Sequence, residues 1–206
     1  RLRIAVIGDS FAEGVGDAIT AAADDSLVHV LNVGRIATGL ARADYFDWVE
    51  NMRKVSRRYD PDLVIVMLGG NDKQSVVFPG GRAVISGDPD WGSAYRKRIA
   101  DFLEMATADA HVVWVGLPPA KDEGKSRVYE DYNAMYSSAV DHHRNAAFID
   151  IWDGFSGSKG RYKAYGTGPG GKTTLLRESD GEHFTVSGYR LIMNRISTVI
   201  TERWKA

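Results

Sequence analysis

The chain of 206 residues contains no cysteine, which excludes a disulfide framework, a thiolate nucleophile and any metal site with cysteine ligands. It also lacks an excess of charge of one sign. The 26 Lys and Arg residues nearly balance the 27 Asp and Glu residues, so the formal net charge of -1 provides no overall field for binding nucleic acid. Long hydrophobic runs are absent too. The longest, residues 63–68, is far shorter than the roughly 20 residues that a bilayer span needs, so we expect no membrane span.

The length and the 44% content of hydrophobic residues fit one folded domain with a single core. Short aliphatic runs predict five strands, and their continuity favours strands buried on both faces of a parallel sheet. The predicted strands are residues 4–7, 27–33, 63–68, 112–115 and 147–151. Helical spacing predicts helices over residues 11–23, 44–58, 91–108, 127–143 and 186–204, with Thr185 as N-cap of the last.

Strands that alternate with helices predict a single-domain α/β fold, a three-layer α/β/α sandwich around a central parallel sheet of about five strands. Two stretches interrupt the alternation, near residues 76–90 and 153–178, and we interpret both as insertions or loops. The second ends just before Asp180, so we expect it to form one wall of a substrate entrance.

Polar residues follow the predicted strands at the edge where reactive groups gather in open parallel sheets. Ser10 lies at the turn between the first strand and the first helix, and Asn71 follows the third strand. Asp180 precedes His183 by three positions, so the carboxylate could orient the imidazole while His183 takes a proton from a hydroxyl. Taken alone, Ser10 is also explained as a helix cap and Asn71 as a turn residue.

Together these blocks resemble the SGNH (GDSL-type) hydrolase superfamily. Gly8-Asp9-Ser10 is similar to the nucleophile block, Gly70-Asn71-Asp72 to the block that contributes an oxyanion-hole asparagine, and residues 180–183 to the terminal block with the acid and base. Finer features at residues 45–48, 114–119 and 176–181 resemble the bacterial DUF459 branch. The resemblance implies the flavodoxin-like SGNH hydrolase fold and an extracytoplasmic protein whose N-terminal signal or anchor is missing from this chain, with a cytoplasmic location left open.

The resemblance also implies the roles of the site residues. Ser10, Asp180 and His183 are expected to be catalytic, and the N–H of Ser10, the N–H of Gly39 and the Asn71 side chain to form the oxyanion hole, with Gly34 as a less favoured alternative to Gly39. Four further residues are candidates for substrate binding: Asp9, Trp91, Trp114 and Tyr162. We expect no metal and no cofactor.

These features predict a serine esterase that hydrolyses a carboxylic ester, with O-acyl groups on a carbohydrate as one substrate class, through an acyl-enzyme. An O-acyltransferase acting on an extracytoplasmic glycan would use the same triad, and a non-catalytic glycan-binding module is a third interpretation. We expect a small-molecule or glycan ester as partner, and neither nucleic acid nor nucleotide.

One competing motif concerns nucleotides. Residues 166–173 match the phosphate-binding pattern G-x-x-x-x-G-K-[ST], but no aliphatic strand precedes them, and the motif requires a strand, a loop and a helix.

Overall fold

The computed structural model describes residues 1–204. The strands in this part of the chain are β1 (Leu2–Gly8), β2 (Val28–Asn32), β3 (Leu63–Met67), β4 (Val76–Val77), β5 (Ala83–Val84), β6 (His111–Val115), β7 (Ala146–Ile149), β8 (Tyr165–Thr167) and β9 (Thr173–Leu175). The α-helices are α1 (Ser10–Ala22), α2 (Trp48–Tyr59), α3 (Trp91–Ala106), α4 (Glu123–Val140), α5 (Trp152–Phe155) and α6 (Val186–Trp204).

Five strands form one parallel sheet in the order β2-β1-β3-β6-β7. All five residues of β3 are buried, because helices cover both faces of the sheet and an aliphatic run suits burial on both sides. Helix α1 packs on α6, whereas α2 packs on α3 and α3 on α4. The prediction of a three-layer α/β/α sandwich with five parallel strands is therefore confirmed.

Two helices begin at other residues than predicted, because an aspartate side chain caps the N-terminus of each. Helix α2 begins at Trp48 rather than residue 44, because the side chain of Asp47 accepts a hydrogen bond from the N–H of Val49 at 3.1 Å. Helix α4 begins at Glu123 rather than residue 127, since Asp122 caps it through the N–H of Lys125. Helix α6 covers the predicted residues, and the Thr185 hydroxyl accepts from the N–H of Gly188 at 3.3 Å, as an N-cap does.

Each irregular segment contains a small antiparallel hairpin, β4 with β5 in residues 76–90 and β8 with β9 in residues 153–178. The nucleotide-like motif forms the β8–β9 turn, in which the N–H of Gly168 donates to the Lys172 carbonyl and the N–H of Gly171 to the Gly168 carbonyl. A turn between two short strands lacks the helix that a phosphate-binding loop needs. Across residues 1–204, no helix combines the length and the apolar character that crossing a membrane requires.

Candidate active site

Three predicted site residues meet at the carboxyl edge of the sheet. Ser10 is the first residue of α1 and is separated from β1 only by Asp9, and its Oγ lies 2.8 Å from Nε2 of His183. Nδ1 of the same ring lies 2.6 Å from Oδ2 of Asp180. A hydroxyl, an imidazole and a carboxylate thus form one hydrogen-bonded chain, although Ser10 and His183 are 173 positions apart in sequence.

The turn that carries Asp180 and His183 is ordered by its own carboxylate. Oδ1 of Asp180 accepts hydrogen bonds from the N–H groups of Glu182 at 2.8 Å and His183 at 2.9 Å, which leaves Oδ2 for the imidazole. Partial burial alone would raise the pKa of Asp180, but the Glu182 and His183 hydrogen bonds outweigh it and lower the pKa to about 2. Asp180 is therefore ionised at neutral pH and favours the tautomer with the proton on Nδ1, which leaves Nε2 free to accept from Ser10.

The same turn is the tip of a tight hairpin. The N–H of Glu178 donates to the His183 carbonyl at 2.8 Å, and the N–H of Thr185 donates to the Leu176 carbonyl at 3.0 Å. These bonds lead the chain directly into α6, so His183 lies just before the start of that helix.

The side chain of Arg177 anchors this hairpin to the rest of the domain. This side chain is buried and donates to the carbonyls of Pro119 at 2.7 Å and Glu182 at 2.6 Å, with a weaker contact to the His183 carbonyl at 3.4 Å. Burial lowers the pKa of Arg177 to about 10, which leaves it charged at neutral pH. The guanidinium therefore links Pro119, in the segment after β6, to Glu182 and His183.

Glu182 provides a second attachment, to α4. Its carboxylate accepts hydrogen bonds from Lys125 Nζ at 2.7 Å and from the Tyr129 hydroxyl. Glu182 is thus held through its side chain by α4 and through its carbonyl by Arg177.

The predicted oxyanion donors lie around Ser10. Within residues 1–204, the backbone N–H groups of Ser10 and Gly39 have no hydrogen-bond acceptor, whereas the N–H of Gly34 is occupied by Asn32 Oδ1 at 3.1 Å. This difference favours Gly39 over Gly34. Nδ2 of Asn71 donates to the Thr38 carbonyl at 3.0 Å, and its second amide hydrogen stays available.

Two buried aspartates, Asp9 and Asp72, hold together the segments that carry the predicted oxyanion donors. The carboxylate of Asp9 accepts from the N–H groups of Phe11 at 3.0 Å, Gly69 at 3.1 Å and Gly70 at 2.9 Å, which joins the nucleophile turn to the Asn71 turn. Burial raises the pKa of Asp9 to about 7, although the three N–H donors oppose this shift. Asp9 is fully buried, so it braces the site and is not available to contact a substrate as predicted.

Asp72 fixes the remaining donor segment. Its carboxylate accepts from the N–H groups of Leu40 at 3.1 Å and Ala41 at 2.8 Å and from the Tyr95 hydroxyl at 2.6 Å. Burial raises the pKa of Asp72. The approach to Gly39 is so close that a Cβ there would lie 2.0 Å from Oδ1 of Asp72, so only glycine fits.

The aromatic substrate-binding candidates have different positions. Trp114 is fully buried in β6 and stacks on Tyr136, so its prediction as a substrate-binding residue is wrong; the indole fills the core. Trp91 is half-buried, stacks on Tyr95 and lines a cavity of about 310 Å³ with Lys73, two positions from Asn71. Tyr162 is half-buried, with its ring 5.0 Å from the Arg177 guanidinium.

No role in the site was predicted for Arg177, Glu182 or Asp72. Each acts through partners that are remote in sequence, up to 58 positions away for Arg177 and Pro119, and no local pattern signals such contacts. For Glu182, the one feature of the sequence that could have indicated a role is its position between Asp180 and His183. Among residues 1–204, no group of three or more His, Asp or Glu side chains is arranged to hold a metal ion.

Comparisons with known proteins agree with this architecture. Residues 3–199 match the family described as "Protein of unknown function (DUF459)". None of the curated protein sequences matches the chain significantly.

Solved structures with the same fold include a carbohydrate acetylesterase family member from Sinorhizobium meliloti, with a TM-score of 0.68, 15% identity and 100% of both chains covered. A carbohydrate esterase family 3 protein from Talaromyces cellulolyticus has a TM-score of 0.65, 15% identity and 100% coverage of both chains. A member of the lipolytic protein G-D-S-L family from Veillonella parvula has a TM-score of 0.62 and 18% identity, with 98% of this chain and 99% of that chain covered. The chain therefore belongs to the DUF459 family and has the α/β fold of the SGNH (GDSL-type) hydrolases.

Proposed function

We propose that this protein is a serine esterase that hydrolyses a carboxylic ester through an acyl-enzyme. The observation that carries the proposal is the continuous hydrogen-bonded chain from Ser10 through His183 to Asp180, 2.8 Å and 2.6 Å long at its two links. A helix cap needs no histidine on its hydroxyl, and a binding module needs no such relay.

The proton path follows from these contacts. Nε2 of His183 accepts the Ser10 proton as Oγ attacks the ester carbonyl, and Asp180 stabilises the imidazolium that forms. His183 then gives the proton to the leaving alcohol, which leaves an acyl group on Ser10. In the second step His183 takes a proton from water while the water oxygen attacks the acyl carbonyl. When the bond to Ser10 breaks, the His183 imidazolium returns that proton to Ser10 Oγ, and the carboxylic acid leaves.

The tetrahedral intermediates carry a negative oxygen that needs donors. The unpaired N–H groups of Ser10 and Gly39 and the second amide hydrogen of Asn71 are suited to that role. Loss of one such donor typically costs about 2.7–4 kcal/mol of transition-state stabilisation. Asp9 and Asp72 hold the backbone of these blocks in place, so the donors need no reorganisation during the reaction.

For the substrate class, we propose O-acyl esters of carbohydrates, acetyl esters above all. The structural relatives named as a carbohydrate acetylesterase and a carbohydrate esterase support this choice. The half-buried Trp91, which lines the same cavity as Lys73, offers an aromatic surface for the C–H face of a sugar.

The test is a panel of p-nitrophenyl esters of increasing acyl length and O-acetylated oligosaccharides, with wild type, Ser10→Ala and the exposed-serine control Ser138→Ala. We expect hydrolysis by wild type and the control, with short acyl groups preferred, and none by Ser10→Ala. Turnover that survives in Ser10→Ala would refute the proposal. Analysis of the product with a sugar acceptor present separates hydrolysis, which releases free acid, from acyl transfer, which forms a new sugar ester.

A further inference from the structure

A groove of about 540 Å³ lies beside the catalytic turn, between the first turns of α4 and residues 152–162. Its walls come from the carboxyl edge of the sheet, since Lys121 follows β6 and Trp152 follows β7. The chemically distinctive lining residues are Lys121, Arg127, Trp152, Lys159, Arg161 and Tyr162.

The groove concentrates unpaired positive charge. Lys121, Arg127, Lys159 and Arg161 are exposed, and none forms a salt bridge with a carboxylate within residues 1–204. Only two carboxylates, those of Glu123 and Glu130, line the same groove. In a chain whose formal net charge is -1, this local excess of cations favours an anionic ligand.

Two aromatic side chains lie among these cations. Nε1 of Trp152 donates to the Gly160 carbonyl at 2.9 Å, which fixes the indole while it lines the groove. The ring of Tyr162 is held by the Arg177 guanidinium, 5.0 Å from its centroid. Fixed aromatic rings suit the apolar C–H faces of sugars, and the surrounding cations suit acidic groups on those sugars.

The groove is connected to the catalytic turn by two contacts. The N–H of Lys121 donates to the Gly181 carbonyl at 2.9 Å, next to Asp180. Arg177 contacts Tyr162 on one side and the Glu182 carbonyl on the other. A ligand in the groove therefore lies against segments that contact the catalytic turn, while Asp180 and His183 are not among the groove's lining residues.

We propose that this groove binds an anionic carbohydrate, so that the natural substrate is an acylated glycan whose neighbouring sugars carry carboxylate or phosphate groups. The identification of the ligand as substrate depends on the proposed esterase function, whereas the binding itself does not. The charge can come from a uronate or from a phosphate ester, and the two are separated by the probes below.

The binding test uses the full chain with Ser10→Ala, titrated by calorimetry with an oligogalacturonate, a phosphorylated oligosaccharide and a neutral xylo-oligosaccharide of equal length. We expect at least one acidic oligosaccharide to bind and the neutral one to bind more weakly. The double substitution Lys159→Gln with Arg161→Gln should weaken acidic binding about tenfold, because two exposed charge contacts are lost. The matched control Arg57→Gln with Arg58→Gln, exposed charges in the last turn of α2, should leave binding unchanged.

Equal affinity for acidic and neutral oligosaccharides, no binding of either acidic probe, or an equal loss in the control pair would overturn the proposal. Tighter binding of a single-stranded oligonucleotide than of both acidic glycans would also contradict it. Failure of the esterase function has a different signature, since the wild type would then cleave no ester while the acidic oligosaccharide still bound. If wild type is active, the double substitution Lys159→Gln with Arg161→Gln should raise KM for acetylated acidic oligosaccharides. The same variant should hydrolyse p-nitrophenyl acetate at the wild-type rate.

Discussion

Replacement of Arg177 by methionine should lower activity strongly in a protein that still folds. The substitution keeps an unbranched side chain in the buried site but removes every donor. Within residues 1–204, the carbonyls of Pro119 and Glu182 accept only from Arg177, so both would lose their partner. The Pro119 carbonyl is buried and the Glu182 carbonyl is partly buried, so leaving both without a donor costs at most about 2–6 kcal/mol in the free energy of unfolding.

The loss is partly offset because the guanidinium is itself costly to bury. Burial lowers its pKa from 12.5 to about 10, which corresponds to roughly 3 kcal/mol of unfavourable desolvation. The net destabilisation of Arg177→Met should therefore be at most about 3 kcal/mol. The hairpin that carries His183, however, loses its attachment to the segment after β6, and a displacement of about 1 Å of a catalytic group can cost about 10²-fold in rate.

The assay combines urea denaturation with kinetics on p-nitrophenyl acetate for wild type, Arg177→Met and Arg177→Lys. We expect kcat to fall about 10²-fold in Arg177→Met with little change in KM, and Arg177→Lys to recover part of it, because one ammonium can still reach a carbonyl. A folded Arg177→Met protein with the wild-type kcat would refute the positioning role of Arg177.

Three further substitutions test other parts of the site. Asn71→Ala should lower kcat by about 10²–10³-fold at nearly constant KM, as expected for a donor used in the transition state, whereas a change in KM alone would make Asn71 a substrate-binding residue. Burial raises the pKa of Asp9 from 3.8 to about 7, so the native state binds more protons than the unfolded state between these values, and this carboxyl contributes stability that declines as pH rises through that window. The free energy of unfolding of wild type relative to Asp9→Asn should thus be lower at pH 7 than at pH 5, and a constant difference would contradict the buried titration. Lys172→Ala should retain ester hydrolysis, and ATP should not raise the Tm of wild type; stabilisation by ATP that the variant loses would support a nucleotide site.

The sheet could be predicted from sequence because its signal is local. A strand buried on both faces needs consecutive aliphatic residues, and residues 63–68 and 112–115 carry that pattern within one residue of β3 and β6. The short hairpins, with strands of two or three residues, are too brief for any periodicity to indicate them.

Of the candidate site, only the residues proposed to react could be predicted from the sequence. Ser10 and Asn71 follow strands of the parallel sheet, whose carboxyl ends meet at one edge, and Asp180 and His183 could be paired by their spacing of three positions. The buried charges that support them depend on contacts across the fold. Asp9 accepts from Gly70, 61 positions away, and Asp72 from Ala41, 31 positions away. Trp114 illustrates the opposite error, because its place in an aliphatic run already favoured the core over a substrate contact.

The most direct test of the account is covalent labelling of the nucleophile. Wild type, Ser10→Ala and His183→Ala are treated with a fluorophosphonate, and adducts are located by intact mass and peptide mapping. Because Nε2 of His183 lies 2.8 Å from Oγ of Ser10 and can accept its proton, we expect one rapidly formed adduct, on Ser10. This adduct should be absent in Ser10→Ala and should form much more slowly in His183→Ala. An adduct on another serine, or equal labelling of Ser10→Ala, would contradict Ser10 as the nucleophile.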